Sequence, residues 1–201
     1  MRQSWQFGIV GMVTLAVVCA GGYAQQAGAP AAGKVETYQV DAVHSSIWFR
    51  VKHSNVSYFY GRFNEVAGKI TLSDDLAACA LDMQVKVASI DTNNADRDKH
   101  LKSADFFEAE TYPLVTFKSR SFKQAGDDAY EVTGDLTLHG VTKPLTVKLE
   151  KTGAGPGMKG EYRLGLETTF EIKRTDFGMT KLVGPVSDEV RLIVAVAAVR
   201  D

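Results

Sequence analysis

Cysteine is nearly absent from this 201-residue chain, which holds only Cys19 and Cys79. That pair is too few for a disulfide framework, so packing has to stabilise the fold. A charge excess of either sign is also missing. Lys and Arg total 23 against 24 Asp and Glu, for a net charge of -1. This balance excludes the clustered basic surplus of a dedicated nucleic-acid binder, and no nucleic-acid partner is expected. Long apolar runs are lacking as well. The best, residues 7–20, falls short of the roughly 20 residues that a membrane-spanning helix requires. What remains is globular composition, 45% hydrophobic and 23% charged, which rules out a disordered tail, a collagen-like fibre and a multi-pass membrane protein. A chain of this length can bury a sizeable core, and one domain is expected.

The short apolar run has its own meaning. Arg2 precedes it, and Gly22 and Ala24 place small residues at the -3 and -1 positions of a cleavage site before Gln25. Residues 1–24 therefore read as an export signal cleaved after Ala24, with a retained anchor as the alternative. A lipoprotein reading at Cys19 meets a bulky Val18 where a small residue belongs. Cleavage leaves Cys79 alone, unable to form an internal disulfide even in an oxidising compartment. Residues 25–34 are small and featureless and read as a flexible lead-in, so the folded domain is expected over 35–201.

From residue 35 onward the dominant period is two. Ile47, Phe49 and Val51 alternate with Trp48, Arg50 and Lys52, and Leu81, Met83, Val85 and Val87 alternate with Asp82, Gln84 and Lys86. The parity of Tyr162, Leu164, Leu166, Thr168, Phe170 and Ile172 persists for eleven residues. Strict alternation of this length marks strands with one dry and one wet face. Turn-forming clusters at 73–75, 125–128 and 153–157 separate the runs. Strands are expected near 38–41, 46–53, 62–72, 80–88, 113–122, 129–138, 144–150, 161–173 and 189–199. Long sequential antiparallel strands favour a closed barrel, which leaves no exposed edges.

One stretch departs from this pattern. Residues 95–102, Ala-Asp-Arg-Asp-Lys-His-Leu-Lys, favour a short helix, and Tyr112-Pro113 returns the chain to extended structure. The helix reads as a cap between two strands. The last run, 190–199, is apolar on both parities, and the helix is the expected cover for its outer face.

Chemical motifs are sparse. His44, His53, His100 and His139 show no metal-ligand spacing. There is no Gly-x-Ser-x-Gly elbow, and Cys79 sits in an inert Ala-rich context. The glycine-rich stretch 153–160 joins two strands, with no helix N-terminus to hold a phosphate. No catalytic residue and no metal are expected. The segment Arg174-Thr175-Asp176-Phe177-Gly178-Met179 reads either as a bonded corner or as part of a cavity mouth.

Several blocks of residues resemble the YceI-like family. They are Asp41-Ala-Val-His44-Ser45, Gly61-Arg62-Phe63, Ser89-Ile90-Asp91-Thr92, Arg97-Asp98-Lys99-His100-Leu101, Ser103-Ala104-Asp105-Phe106-Phe107, Tyr112-Pro113, the run from Gly134 to Lys143, Asp176-Phe177-Gly178-Met179 and Ser187-Asp188. In order they span about residues 38 to 199. The resemblance implies an all-β fold: an extended, antiparallel, eight-stranded, lipocalin-like barrel with a short helical cap. It also implies an exported, periplasmic protein that binds an isoprenoid lipid, a quinone or a polyprenyl phosphate, without catalysis and with no required cofactor.

Strand parity supplies the candidate wall of such a cavity: Ile47, Phe49, Val51, Met83, Val85, Val87, Val115, Phe117, Leu136, Leu138, Leu164, Leu166, Phe170 and Leu192. An eight-stranded barrel either holds one slender ligand or is filled by its own side chains. The residues alone leave both open, and the resemblance favours the cavity. The expected polar rim is His44, Arg174 and Asp176, with His139 in reserve. Two other readings stand beside a lipid carrier: a quinone-dependent redox accessory protein or enzyme, and a stress-induced scavenger with no committed ligand. The expected partners are the isoprenoid lipid and, transiently, a membrane or membrane redox complex. Monomer and homodimer read alike.

Overall fold

A computed structural model describes residues 34–201, which lie in one compact unit. The expected signal sequence and nearly all of the lead-in fall outside the described residues. Eleven strands form a single antiparallel sheet: β1 (Val35–Val40), β2 (Ser46–His53), β3 (Ser57–Phe63), β4 (Val66–Ser73), β5 (Ala80–Lys86), β6 (Ile90–Asp91), β7 (Leu114–Gly126), β8 (Ala129–Leu138), β9 (Val141–Pro156), β10 (Tyr162–Lys173) and β11 (Glu189–Arg200). The pairing runs β1-β4-β5-β7-β8-β9-β10-β11, and β11 returns to β1. That circuit closes an eight-stranded antiparallel barrel.

The other three strands extend the circuit at one end. β11 pairs with β1 at Ala198 to Arg200 and with β2 at Arg191 to Ala195, so β1 and β2 lie in succession along the same neighbour. β3 follows β4 in the same way, and β6 follows β5. Three barrel staves are therefore each broken once. Asp41 marks the first break. Its carboxylate accepts from the Val43 N–H and His44 Nδ1 in the one-turn helix Ala42–His44, and from Arg163 on β10. A one-turn helix at Val87–Ser89 makes the third break.

β6 does not pair with β7. The space between them holds the helix α1 (Ala95–Lys102) and the segment 103–113, with the Val87 N–H donating to the Pro113 carbonyl at 2.9 Å where the strands part. α1 is capped by Asn94, with Asp96 and Asp98 in its first turn and Lys99, His100 and Lys102 in its last, the charge order that suits the helix dipole. Its bounds agree with the sequence reading, but its place does not. It packs against β6, because the wide gap there exposes apolar side chains, and the outer face of β11 stays partly open at Ile193, Ala195 and Ala197.

Two strand bounds also differ from expectation. The single strand expected over 62–72 is two, with a bend at Asn64 and Glu65 and a further hairpin arm back to Ser57. β9 runs on through the glycine-rich stretch to Pro156, since its pairing with β10 absorbs a bulge between Gly165 and Leu166.

The interior is most densely filled at one end. Tyr38, Ile70, Phe122, Val132, Leu164 and Ala198 belong to a dense buried cluster there, with Tyr38, Val132, Leu164 and Ala198 at most 2% exposed. Toward the other end, buried clusters around Phe49 and Phe63 and around Leu136 and Met179 border an unfilled space.

Candidate functional site

The unfilled end encloses a cavity of about 540 Å³, within the range of small-ligand sites. Its wall is built by alternate residues of the strands. β2 contributes Ile47, Phe49 and Val51; β5 contributes Met83 and Val85; β7 contributes Val115 and Phe117. β8 supplies Leu136 and Leu138, β10 supplies Leu166 and Phe170, and β11 supplies Leu192. These twelve come from the parity reading, and one bore collects them all because alternate side chains of a closed sheet converge on its axis. Leu81, Leu145, Val147, Leu149, Val194 and Val196 continue the same faces.

Glycines keep the bore open. Phe49 lies over Gly61 of the paired β3, where a Cβ would strike its ring. Phe117 lies over Gly134 of the paired β8, and a Cβ there would meet the Phe117 ring at 2.6 Å. Each ring lies against a gap that any other residue would fill. Phe49 also packs on Phe63, which meets Phe107 edge-on, with both centroid separations 5.8 Å.

Two of the expected wall residues lie elsewhere. Val87 is buried but does not line the cavity, because β5 ends at Lys86 and the following helical turn rotates Val87 off the strand's inward parity. Leu164 points inward at the filled end, packed in the core below the bore. Parity assigns a face, and depth along the barrel decides what that face meets.

The rim departs further from expectation. His44 sits outside the barrel, donating from Nδ1 to Asp41 at 2.7 Å, because it belongs to the β1–β2 break. Asp176 faces solvent opposite Lys143 at 3.5 Å, on the outer side of the turn Arg174–Phe177. His139 lies beside the cavity wall rather than in it. Its Nδ1–H donates to the Phe177 carbonyl at 3.0 Å, and its ring meets Tyr112 edge-on.

Arg174 does reach the cavity, as a buried fastener. Its guanidinium donates to the carbonyls of Met179, Lys181, Val186 and Ser187, at 2.7 to 3.2 Å. One side chain thus folds the loop 179–188 over the end of the barrel. Burial pulls its pKa below the ordinary arginine value, and the nearby Asp188 opposes that pull. Both readings of the corner hold: it is a bonded turn, and it borders the cavity.

The remaining mouth comes from residues outside the expected site set: His53, Ser57, Tyr58 and Phe59 of the β2–β3 hairpin, Arg97, His100 and Leu101 of α1, Phe106 and Phe107, and Leu182 and Val186 of the closing loop. Arg97 donates to the Thr92 hydroxyl and carbonyl and lies 4.2 Å above the Phe59 ring. His100 donates to Asp105, which also meets Lys181 at 3.3 Å. Those two contacts, His100 first, hold the Asp105 carboxyl below its ordinary pKa and tie α1 to the closing loop. The period-two run Phe59, Gly61 and Phe63 was a legible signal for β3. Nothing local marked Leu182 or Val186.

This arrangement can shelter an apolar chain. Among the described residues no group of three or more His, Cys, Asp or Glu side chains is placed to hold a metal ion.

Residues 38–198 match the YceI-like domain. Curated relatives include a UPF0312 protein of Pseudomonas aeruginosa, 42% identical over 166 residues, covering 81% of this chain and 86% of the relative. A UPF0312 protein of Pectobacterium carotovorum is 41% identical over 164 residues, covering 81% and 85% respectively. Among solved structures, Burkholderia cenocepacia BcnA superposes with a TM-score of 0.72 at 25% identity, over 79% of this chain and 98% of that one. The Campylobacter jejuni YceI protein superposes at 0.67 and 31% identity, over 75% and 90%.

Proposed function

This chain belongs to the YceI-like domain family, and on that premise we propose that its barrel holds the tail of one isoprenoid lipid and does not transform it. The observation that carries the reading is the apolar bore, open at one end and stopped at the other by Tyr38, Leu164 and their neighbours. A solved domain from Saccharophagus degradans described as polyisoprenoid-binding has the same fold, with a TM-score of 0.66 at 17% identity. That likeness speaks for the fold, and the ligand class is carried over as part of the proposal.

Energetics set the reference state. Burying one five-carbon isoprene unit from water is worth roughly 3–4 kcal/mol at about 0.8 kcal/mol per CH₂. Eight units from water would then exceed the ceiling of about 21 kcal/mol for non-covalent affinity. The tail is therefore exchanged with a bilayer, between two dry environments, and the cavity needs only to match lipid. A bore of about 540 Å³ is of small-ligand size, and a tail too long for it extends past the mouth.

The head group is neutral in this reading, a quinone or an alcohol in place of a phosphate. Of the two guanidinium groups that line the cavity, the buried Arg174 is engaged by four carbonyls, while Arg97 sits exposed at the mouth and bonds Thr92. A phosphate drawn into the bore would lose water without gaining a free charged donor from Arg174. Export through residues 1–24 and work in the periplasm, as a carrier or store, complete the proposal.

Organic extraction and mass spectrometry of protein purified without detergent test it. We expect an isoprenoid in stoichiometric amount. Protein that yields no lipid, and takes up none from quinone-loaded vesicles, would defeat the reading.

A further inference from the structure

We propose that the outer face of the β2–β3 hairpin docks on an anionic phospholipid bilayer. The hairpin, residues 46–63, carries Arg50, Lys52 and Arg62 and no acid at all, in a chain whose net charge is -1. Side chains alternate across strands, so these three share the outward face with Trp48, Tyr58 and Tyr60. Cross-strand register places Trp48 opposite Arg62, Arg50 opposite Tyr60 and Lys52 opposite Tyr58. All three aromatic residues are exposed.

The charges there are left for something else to meet. Arg62 is held by Asp91 at 3.1 Å, whereas among the described residues Arg50, Lys52 and Arg191 form no ion pair. Arg191 stands directly opposite Arg50 across the β2–β11 ladder, and like charges opposed on one face destabilise a sheet. Acids flank the patch at Asp91, Glu171 and Glu189 without entering the hairpin. An anionic surface is the complement of this arrangement.

The aromatic groups narrow the choice to lipid. The Arg50 guanidinium lies 3.9 Å above the Tyr58 ring, and that of Arg62 is 5.6 Å from Trp48. Trp and Tyr with basic neighbours suit the headgroup layer, where one end of the ring is apolar and the other wet. The turn itself presents an apolar tip. Ser54 and Asn55 both take positive φ, 49° and 55°, the left-handed pair of a tight hairpin turn, and the following Val56 is 85% exposed.

Continuity with the cavity gives the surface its use. His53, Ser57 and Tyr58 belong to the patch-bearing hairpin and also line the mouth. A barrel docked through this face brings its opening to the bilayer, so a tail can pass without crossing water. In this the surface rests on the lipid-holding reading, but docking is measured apart from cavity occupancy.

The test is flotation of the whole chain with vesicles of phosphatidylglycerol and phosphatidylcholine in equal parts. At about 1 kcal/mol per basic residue near an anionic surface, R50Q with K52Q should lower partitioning about thirty-fold. Lys118→Gln with Lys123→Gln, which removes the same charge from β7, should leave it within about two-fold. Raised salt should weaken binding, and vesicles of phosphatidylcholine alone should bind poorly. Equal loss from both charge pairs, or equal binding to the neutral vesicles, overturns the surface. So does a change in sedimentation mass in R50Q/K52Q with unchanged vesicle binding, which would assign the patch to a second copy of this chain. Lipid extracted from the same preparations reports the cavity separately. Absent lipid with intact charge-dependent flotation counts against the carrier reading alone.

Discussion

The Tyr38 hydroxyl donates to the Glu36 carboxylate at 2.7 Å, two residues away on β1 at the stopped end of the barrel. Arg200 donates to the other oxygen of that carboxylate at 2.9 Å, so the pair fastens the first strand of the described fold to the last.

Stability should therefore depend on this pair at both extremes of pH. Bonds from Lys34 and then Tyr38 hold Glu36 down at about 2, from an ordinary 4.5. Burial, then Glu36, pushes Tyr38 up to about 12, from an ordinary 10.0. The depressed carboxyl stabilises the fold fully above pH 4.5, and that contribution fades as pH falls toward 2. The raised phenol stabilises it fully below pH 10, and that contribution fades as pH rises toward 12. Tyr38→Phe should abolish the alkaline loss between pH 10 and 12 in urea titrations. An unchanged alkaline slope would disprove the coupling.

Gly134→Ala should narrow the bore without adding charge. The new methyl meets the Lys118 carbonyl and the Phe117 ring, and overpacking of this kind costs about 1–3 kcal/mol. We expect the Phe117 ring to swing inward and the amount of extracted lipid to fall while the circular dichroism spectrum stays the same.

Phe117→Asp and Phe49→Asp place a carboxylate in the wall. Burying it unpaired disfavours ionisation and admits water, so co-purifying lipid should be lost. A folded variant with undiminished lipid would remove the bore from the mechanism.

Arg174→Lys keeps the charge and loses the planar fork that reaches four carbonyls. With buried carbonyls left unsatisfied, stability should drop by roughly 1–3 kcal/mol. Amide exchange should rise selectively across 179–188. Uniform exchange across the barrel would show that the side chain does not hold the loop.

Competition should rank head groups by charge. With tail length held constant, a polyprenol or quinone should displace a bound fluorescent lipid at lower concentration than the corresponding polyprenyl phosphate. The reverse order would mean that Arg97 or Arg174 meets the ligand.

Much of the wall was legible because alternation is a local property. Ile47, Phe49 and Val51 announce their common face within five residues, and pairing with β3 and β11 merely realises it. The helix was legible for the same reason: the helix-favouring residues 95–102 act locally, and in the fold the Asn94 cap and ordered end charges complete it. The rim was not. His44 and Asp176 read as mouth residues from their neighbours in sequence, yet each is paired outside the barrel, His44 locally with Asp41 and Asp176 with the distant Lys143.

The chain alone determined a strand-built barrel and which face most of its wall residues share, since both follow from period two. Tertiary structure decided that one end of the bore is stopped and the other open. Tyr38, Phe122, Leu164 and Ala198 come from four strands far apart in sequence. Only closure of the sheet brings them to one level, where their volumes meet and exclude a ligand; one level higher, glycines beneath Phe49 and Phe117 draw the rings aside and leave room for one.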